Sequence, residues 1–178
     1  MKLLDTQQSR LQRGFTKNVP PTNAGLIFTE MIAEAEDEKY PLYAVFIDAS
    51  KAFDVVWHAS LLRRLHESGI TENDWKILDN WYKGLKSRVK WDGNLSRLFN
   101  EEQGVRQGGI LFPFFYKAFI NPLLKSFEDE NLGAAIGTIH VGSPTCADDI
   151  LLLSKSLFEL QTMILIQEDY ANSERYFI

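Results

Sequence analysis

The sequence has little of what marks a secreted or membrane-spanning protein. Its single cysteine, Cys146, cannot form an internal disulfide, which agrees with a reducing compartment without demanding one. No apolar run approaches the length needed to cross a bilayer, and the amino-terminal residues lack the apolar core of a signal peptide. We therefore expect an intracellular protein, nuclear or cytoplasmic, that has no membrane partner.

An excess of positive charge is also lacking. The formal charge of −5 over 178 residues argues mildly against a nucleic-acid binder, which is usually basic overall. The charge is unevenly distributed, however, because residues 83–106 carry six basic side chains against three acidic ones. The other proportions, 45% hydrophobic and 24% charged, are ordinary for a soluble domain or part of a larger one.

Two adjacent carboxylates, Asp148 and Asp149, stand directly before the aliphatic run 150–153. Burying two neighbouring carboxylates is costly, and a divalent metal such as Mg²⁺ is the commonest remedy. Neighbouring side chains of a strand point to opposite faces, so one shared site requires a bend such as a hairpin tip, with 136–143 as the candidate partner strand. The alternative is an Asp-Asp turn on a solvated surface, and these residues alone do not decide between the two.

A third carboxylate supports the metal site. The apolar run 43–47 predicts another buried strand, and it ends directly on Asp48. Asp48 therefore has the same setting as the Asp148 and Asp149 pair, which is an acid at the end of a short apolar run.

Three segments together resemble the palm motifs of reverse transcriptases, and their sequences most resemble those of the enzymes of non-LTR (LINE-like) retrotransposons. They are 46–54 (FIDASKAFD), 104–113 (GVRQGGILFP) and 146–149 (CADD). Residues 12–16 resemble the short fingers motif that precedes the palm, although taken alone they are only a basic loop. Three motifs in order are far more specific than an isolated Ala-Asp-Asp.

The resemblance implies an α+β fold: a polymerase palm, which is a ferredoxin-like antiparallel sheet backed by helices, with partial fingers. Residues 1–40 would be the fingers segment and 41–178 the palm, truncated at its C-terminus with the thumb absent. It further implies an RNA-directed DNA polymerase whose partners are an RNA template, a DNA primer and deoxynucleoside triphosphates. The missing thumb, and often an endonuclease domain, would belong to a longer polyprotein.

The chemistry implied by the resemblance is two-metal nucleotidyl transfer to a primer 3′-hydroxyl. Asp48, Asp148 and Asp149 would be the catalytic residues and would hold two Mg²⁺ ions, with Mn²⁺ as a possible substitute. Cys146, before the aspartate pair, would pack near the primer end.

Further residues are candidates for holding the substrates. Phe53 resembles an aromatic gate that selects deoxynucleotides, and simple core packing is its alternative. The residues that look like contacts to the incoming nucleotide and template base are Arg106, Gln107 and Gly108. Arg88 and Lys90 alternate onto one face of a predicted hairpin, where they would meet template phosphates or protect a solvated edge.

Two departures from the family pattern leave other functions open. Phe112 stands where a serine is usual, and Lys117 stands where asparagine is frequent. The chain could therefore be a catalytically silent remnant that binds nucleic acid or a protein partner. An unrelated Mg²⁺-dependent phosphohydrolase is a third hypothesis, but no nucleophile motif in the sequence supports it. No pattern of further metal ligands accompanies His58 or His66, which favours structural roles for both histidines.

Periodicity, capping residues and turn signals predict the secondary structure. The predicted helices run from Thr22 or Asn23 to about Asp37, from an Asp54 cap to Ser68, from a Thr71 capping box through Tyr82, from Pro113 to about Phe127 with a kink or break at Pro122, and from Ser154 to about Asn172. The turn Asp92-Gly93-Asn94 predicts a hairpin between 87–91 and 95–99.

Overall fold

The computed structural model describes residues 8–105 and 109–175. Within that part, the helices are α1 (Thr22–Glu38), α2 (His58–Glu67), α3 (Glu72–Tyr82), α4 (Phe112–Asp129) and α5 (Leu157–Glu174). The strands are β1 (Tyr43–Ile47), β2 (Lys86–Ser87), β3 (Lys90–Trp91), β4 (Asn94–Leu95), β5 (Phe99–Asn100), β6 (Ala135–Ile136), β7 (Ile139–His140), β8 (Thr145–Cys146) and β9 (Asp149–Ser154). Of the helices described, none is both long and apolar enough to span a bilayer.

The central feature is an antiparallel sheet in the order β1-β9-β8. In its register Ile47 pairs with Ile150, and Cys146 pairs with Asp149. Since side chains alternate along a strand, Ile150 and Leu152 face one side of the sheet while Leu151 faces the other. The mixed helix and antiparallel-sheet class predicted from the sequence is thus confirmed.

Strand β9 is covered on both faces. Ile150 and Leu152 join the larger core, which α4 fills with fully buried aromatic rings such as Phe119 and Phe127. On the other face, Leu151 and Leu153 belong to a second core with Met31 of α1. Two buried faces explain why this strand is an unbroken aliphatic run, because an alternating pattern suits a strand with one solvated side.

Strand β1 is less buried than its sequence predicted. The prediction of a buried strand is wrong for part of β1, because Phe46 remains 72% exposed and Ala44 is exposed as well, whereas Ile47 is buried. The reason is position, since β1 is an edge strand that α1 covers only in part. The ring of Phe28 meets that of Phe46 edge-on at 5.5 Å between centroids and leaves its other side open.

The predicted partner of the aspartate strand is also corrected. Strands β6 and β7, which overlap the segment 136–143, pair with each other, whereas β8 pairs with β9 beside the aspartates. The cause is a tight turn at Gly137, where φ is 58°, which reverses the chain directly after β6. The segment is therefore folded on itself before it can run alongside the aspartates.

The predicted helices are present, but several ends differ. Asp54 does not cap α2, which begins only at His58 after a series of turns in which the Asp54 N–H donates to the Lys51 carbonyl at 2.7 Å. Helix α1 follows Pro21 without a side-chain cap, so neither predicted cap residue is used. Helix α4 continues through Pro122 without a break.

The predicted hairpin is confirmed. Strands β3 and β4 pair around Asp92 and Gly93, whose positive φ angles of 44° and 76° are the ones a two-residue hairpin turn needs. Strands β2 and β5 form a separate two-stranded pair at its base.

Candidate active site

The two adjacent aspartates lie at the tip of the β8–β9 hairpin. Cys146 and Asp149 close the ladder, so Ala147 and Asp148 form the two-residue turn. Ala147 takes a left-handed φ of 61°, and the bend leaves Asp148 half-buried and Asp149 exposed. The tip provides the change of direction that two neighbouring carboxylates need if they are to serve one site.

Asp48 reaches the same edge of the sheet from β1. It follows Ile47 directly, and because Ile47 pairs with Ile150, the next position along the strand faces Asp149. Asp48 and Asp149 also line one cavity of about 290 Å³, together with Phe28, Phe46 and Cys146.

The electrostatics of the tip reflect this crowding of negative charge. Burial raises the pKa of Asp148, a backbone hydrogen bond opposes that rise, and the charges of Asp149 and Asp48 raise the pKa further. Burial, together with the charges of Asp149 and Asp148, also raises the pKa of the Cys146 thiol, which disfavours a reactive thiolate. The edge therefore concentrates negative charge that a cation would relieve.

The donor set suits a divalent cation in kind, because carboxylate oxygens are the ligands that Mg²⁺ and Mn²⁺ prefer. Within residues 8–105 and 109–175, however, no three or more His, Cys, Asp or Glu side chains already form a metal-holding cluster. The three carboxylates are therefore neighbours that a cation would still have to draw together, with water and substrate oxygens as further ligands.

Phe53 lies in a cluster of aromatic rings. Its ring centroid is 4.6 Å from that of Tyr116, 4.7 Å from that of Phe112 and 6.5 Å from that of Phe15. Phe53 is only partly buried. It is therefore packed as a core residue would be while one side stays accessible, and Phe112, the departure from the family pattern, is one of the rings that hold it.

The chain approaching the predicted nucleotide loop is anchored beside Phe53. The Val105 N–H donates to the Phe53 carbonyl at 2.8 Å, and the Gly104 N–H donates to the Val56 carbonyl at 2.9 Å. Nε2 of the buried His58 lies 2.9 Å from the Gly104 carbonyl, which gives this histidine a structural contact. Arg106, Gln107 and Gly108 themselves lie outside the described residues.

The predicted phosphate contacts lie on the β3–β4 hairpin. Arg88 and Lys90 are both exposed there. Trp91 beside them is 80% exposed, and Leu95 across the hairpin is 59% exposed. The hairpin thus presents basic and apolar side chains together to solvent.

Gln12 was predicted only as part of the fingers-like motif 12–16, and its side chain lies against the aspartate tip. Its side-chain amide donates to the Ala147 carbonyl at 2.9 Å and accepts from the Ala147 N–H at 3.0 Å, across 135 positions of the chain. The residue is only 1% exposed. Its position in the fingers-like motif was the one sequence feature that could have drawn attention to Gln12. Nothing in the neighbouring sequence indicates a partner as far along the chain as Ala147.

Comparison with known proteins gives consistent results. Residues 2–178 match the family model described as reverse transcriptase (RNA-dependent DNA polymerase). The chain is 28% identical over 153 residues to the Pol polyprotein of retrotransposable element R2DM from Drosophila melanogaster, covering 86% of this chain and 14% of that protein. It is 31% identical over 135 residues to the RNA-directed DNA polymerase of mobile element jockey from Drosophila funebris, covering 76% of this chain and 14% of that protein. The chain thus spans about one seventh of these relatives.

Solved structures share the fold. An apo telomerase from Candida tropicalis superposes with a TM-score of 0.63 at 15% identity, covering 96% of this chain and 35% of that one. A telomerase from Candida albicans, in complex with a fragment of telomeric RNA, superposes with a TM-score of 0.65 at 14% identity, covering 99% of this chain and 30% of that one. At such low identity, these likenesses concern the fold alone.

Proposed function

This chain belongs to the reverse transcriptase (RNA-dependent DNA polymerase) family, and we propose that it contributes the catalytic palm of an RNA-directed DNA polymerase from a non-LTR retrotransposon. The observation that carries the proposal is the position of Asp48 at the same edge of the β1-β9-β8 sheet as the Asp148 and Asp149 pair, close enough for its charge to act on Asp148. Phosphoryl transfer needs charge neutralisation and positioning more than covalent help from the protein, which suits such an edge.

Within this proposal, residues 41–178 form the palm and residues 1–40 a portion of the fingers. The sheet β1-β9-β8 with α4 and α5 against one face supports the palm assignment. The ferredoxin-like description of that sheet is part of the same proposal.

Asp48, Asp148 and Asp149 would hold divalent cations, two Mg²⁺ ions in the proposed mechanism, with Mn²⁺ as a substitute. Bound there, the ions would make a primer 3′-hydroxyl more nucleophilic and stabilise the leaving pyrophosphate. The contribution of the chain itself is to place three carboxylates at two adjacent strand ends.

The proposed substrates are an RNA template, a DNA primer and deoxynucleoside triphosphates. Phe53, held by neighbouring rings but open on one side, would contact the incoming sugar. Arg106, Gln107 and Gly108 would contact the nucleotide and template base. The preceding residue, Val105, donates its N–H to the Phe53 carbonyl. The exposed Arg88 and Lys90 would contact phosphates of the template.

Primer extension on a poly-A template with an oligo-dT primer, in Mg²⁺ or Mn²⁺, tests the proposal. We expect incorporation that Asp148→Asn abolishes, because the amide cannot supply the negative oxygen ligand. Asp37→Asn, on the exposed face of α1, is the matched control and should retain activity. Activity unchanged in Asp148→Asn would refute the assignment of that residue.

A second candidate function is a catalytically silent remnant that binds nucleic acid. Phe112 favours it, because its ring centroid lies 4.7 Å from that of Phe53 at a position where the family usually has a serine. No incorporation with either metal, together with retained RNA binding, would favour a silent nucleic-acid-binding remnant. Loss of both would leave neither function supported.

A further inference from the structure

We propose that Gln12 is a positioning residue, which fixes the Ala147–Asp148 turn and thereby aims the neighbouring aspartates for metal binding. The inference rests on the proposed function for its purpose, but the contacts that carry it involve only this chain. Gln12 is a buried polar side chain that is not one of the proposed metal ligands. Its amide group hydrogen-bonds the turn that joins β8 to β9.

Both functional atoms of the Gln12 amide are used. Nε2 donates to the Ala147 carbonyl at 2.9 Å, while Oε1 accepts from the Ala147 N–H at 3.0 Å and from the Gly14 N–H at 2.8 Å. A single side chain thus bonds the backbone of Ala147 on both sides of its Cα. Neither flanking peptide plane can rotate without breaking one of these bonds.

The fixed peptide planes bear directly on the aspartates. The Ala147 carbonyl belongs to the same planar peptide unit as the Asp148 nitrogen. Holding that carbonyl therefore sets the direction in which the chain enters Asp148, one residue before Asp149 begins β9.

The turn needs such support because of its conformation. Ala147 has a φ of 61°, in the left-handed region that residues with a Cβ adopt at a cost. Glycine would take this conformation without strain. Hydrogen bonds from Gln12 stabilise the strained turn in a chain that has alanine there.

Gln12 is itself held in place by backbone pairing. The Arg13 N–H donates to the Thr145 carbonyl at 2.7 Å, and the Thr145 N–H donates to the Leu11 carbonyl at 2.9 Å. Gly14 completes the approach, because a Cβ at that position would lie only 2.7 Å from the Ala147 Cα. The segment around Gln12 therefore packs against the turn so closely that a side chain at position 14 would clash with it.

The test compares the full chain with its Gln12→Met variant, which keeps the side-chain length but removes the hydrogen bonds. We expect the Ala147 amide to exchange its hydrogen about tenfold faster by NMR, as the loss of a hydrogen bond predicts. Mn²⁺ should bind about tenfold more weakly, by analogy with the loss of groups that orient metal ligands. Gln167→Met, which alters another buried glutamine, should change neither quantity.

Rescue separates positioning from general stability. In the Ala147→Gly background, where the turn is unstrained, Gln12→Met should leave the Mn²⁺ affinity within about twofold of its parent, because the two residues act on the same turn. Unchanged exchange and Mn²⁺ affinity in Gln12→Met, or equal losses in both backgrounds, would overturn the proposal. Failure of both Gln12→Met chains to fold would also overturn it, because the residue would then be generally structural.

The same experiment distinguishes this inference from the proposed function. Should the unaltered chain bind no Mn²⁺, the polymerase proposal fails. Hydrogen exchange at the Ala147 amide, compared between the unaltered chain and Gln12→Met, then decides alone whether Gln12 fixes the turn.

Discussion

Replacing the buried Glu174 by glutamine should destabilise the chain more than any exposed carboxylate change. Its side chain is 0% exposed and bonds the Arg63 guanidinium at 2.7 and 2.8 Å and that of Arg64. These contacts tie the end of α5 to α2. Glutamine keeps the shape but loses the charge, so the two guanidinium groups lose their shared buried partner.

The magnitude follows from the exposure of the partners. Removing one member of a fully buried ion pair costs about 3–5 kcal/mol. Arg63 is 49% exposed and Arg64 is 17% exposed, so water recovers part of the loss and we expect about 2 kcal/mol. With a urea m-value of about 2 kcal/mol/M, the unfolding midpoint should fall by about 1 M at pH 7.

The effect should depend on pH with a definite sign. Burial alone would raise the pKa of Glu174, but hydrogen bonds from Arg63 and Ser60 and the charge of Arg64 lower it below its usual value of 4.5. A lowered pKa contributes stability that is present above pH 4.5 and is lost as the pH falls through the folded-state value. The difference in unfolding free energy between the two chains should therefore narrow as the pH falls below 4.5.

Glu67→Gln is the matched control, because this glutamate contacts the same two arginines but is 48% exposed. We expect it to cost less than about 0.5 kcal/mol in the same urea titration. Equal midpoint shifts for the two variants, or a Glu174→Gln gap that does not narrow in acid, would refute the reasoning.

Two further predictions concern the glycines and the basic hairpin. Gly133→Ala should cost about 2 kcal/mol or more in urea unfolding, because φ is 104° and a Cβ would lie 2.6 Å from the Gly142 Cα. Gly25→Ala, in α1 with nothing within 4 Å, should instead stabilise by about 0.5–1 kcal/mol, and the opposite ordering would contradict both. Replacing Arg88 and Lys90 by glutamine should reduce the slope of log affinity for single-stranded RNA against log salt by about 0.7 for each lost contact, and an unchanged slope would exclude phosphate contacts there.

Local signals were enough to predict much of the fold. The turn at Asp92 and Gly93 needs positive φ angles that these residue types tolerate, and the hairpin is present around them. The aliphatic run 150–153 predicted a buried strand because it leaves no solvated face, and both faces of β9 are covered. Family membership was likewise predictable from three motifs and is confirmed.

Features that depend on distant parts of the chain were not predictable in the same way. Phe46 looks like any buried strand residue until the width of the sheet and the reach of α1 are known. Asp54 has the chemistry of a helix cap, but the chain turns through the following residues before α2 begins. The hydrogen bond between Gln12 and Ala147 joins two segments far apart in sequence, and no local sequence pattern in either segment predicts the contact.

The place of β9 between two cores has a consequence for how the acidic edge would be lost. A central strand packed on both faces cannot separate from the sheet without disrupting both hydrophobic cores. Local unfolding of the rest of the domain should therefore leave β9 in place. Heat or denaturant should therefore leave Asp149, the first residue of β9, in place until the whole domain melts in one cooperative event. The lifetime of the acidic edge would then equal the lifetime of the fold.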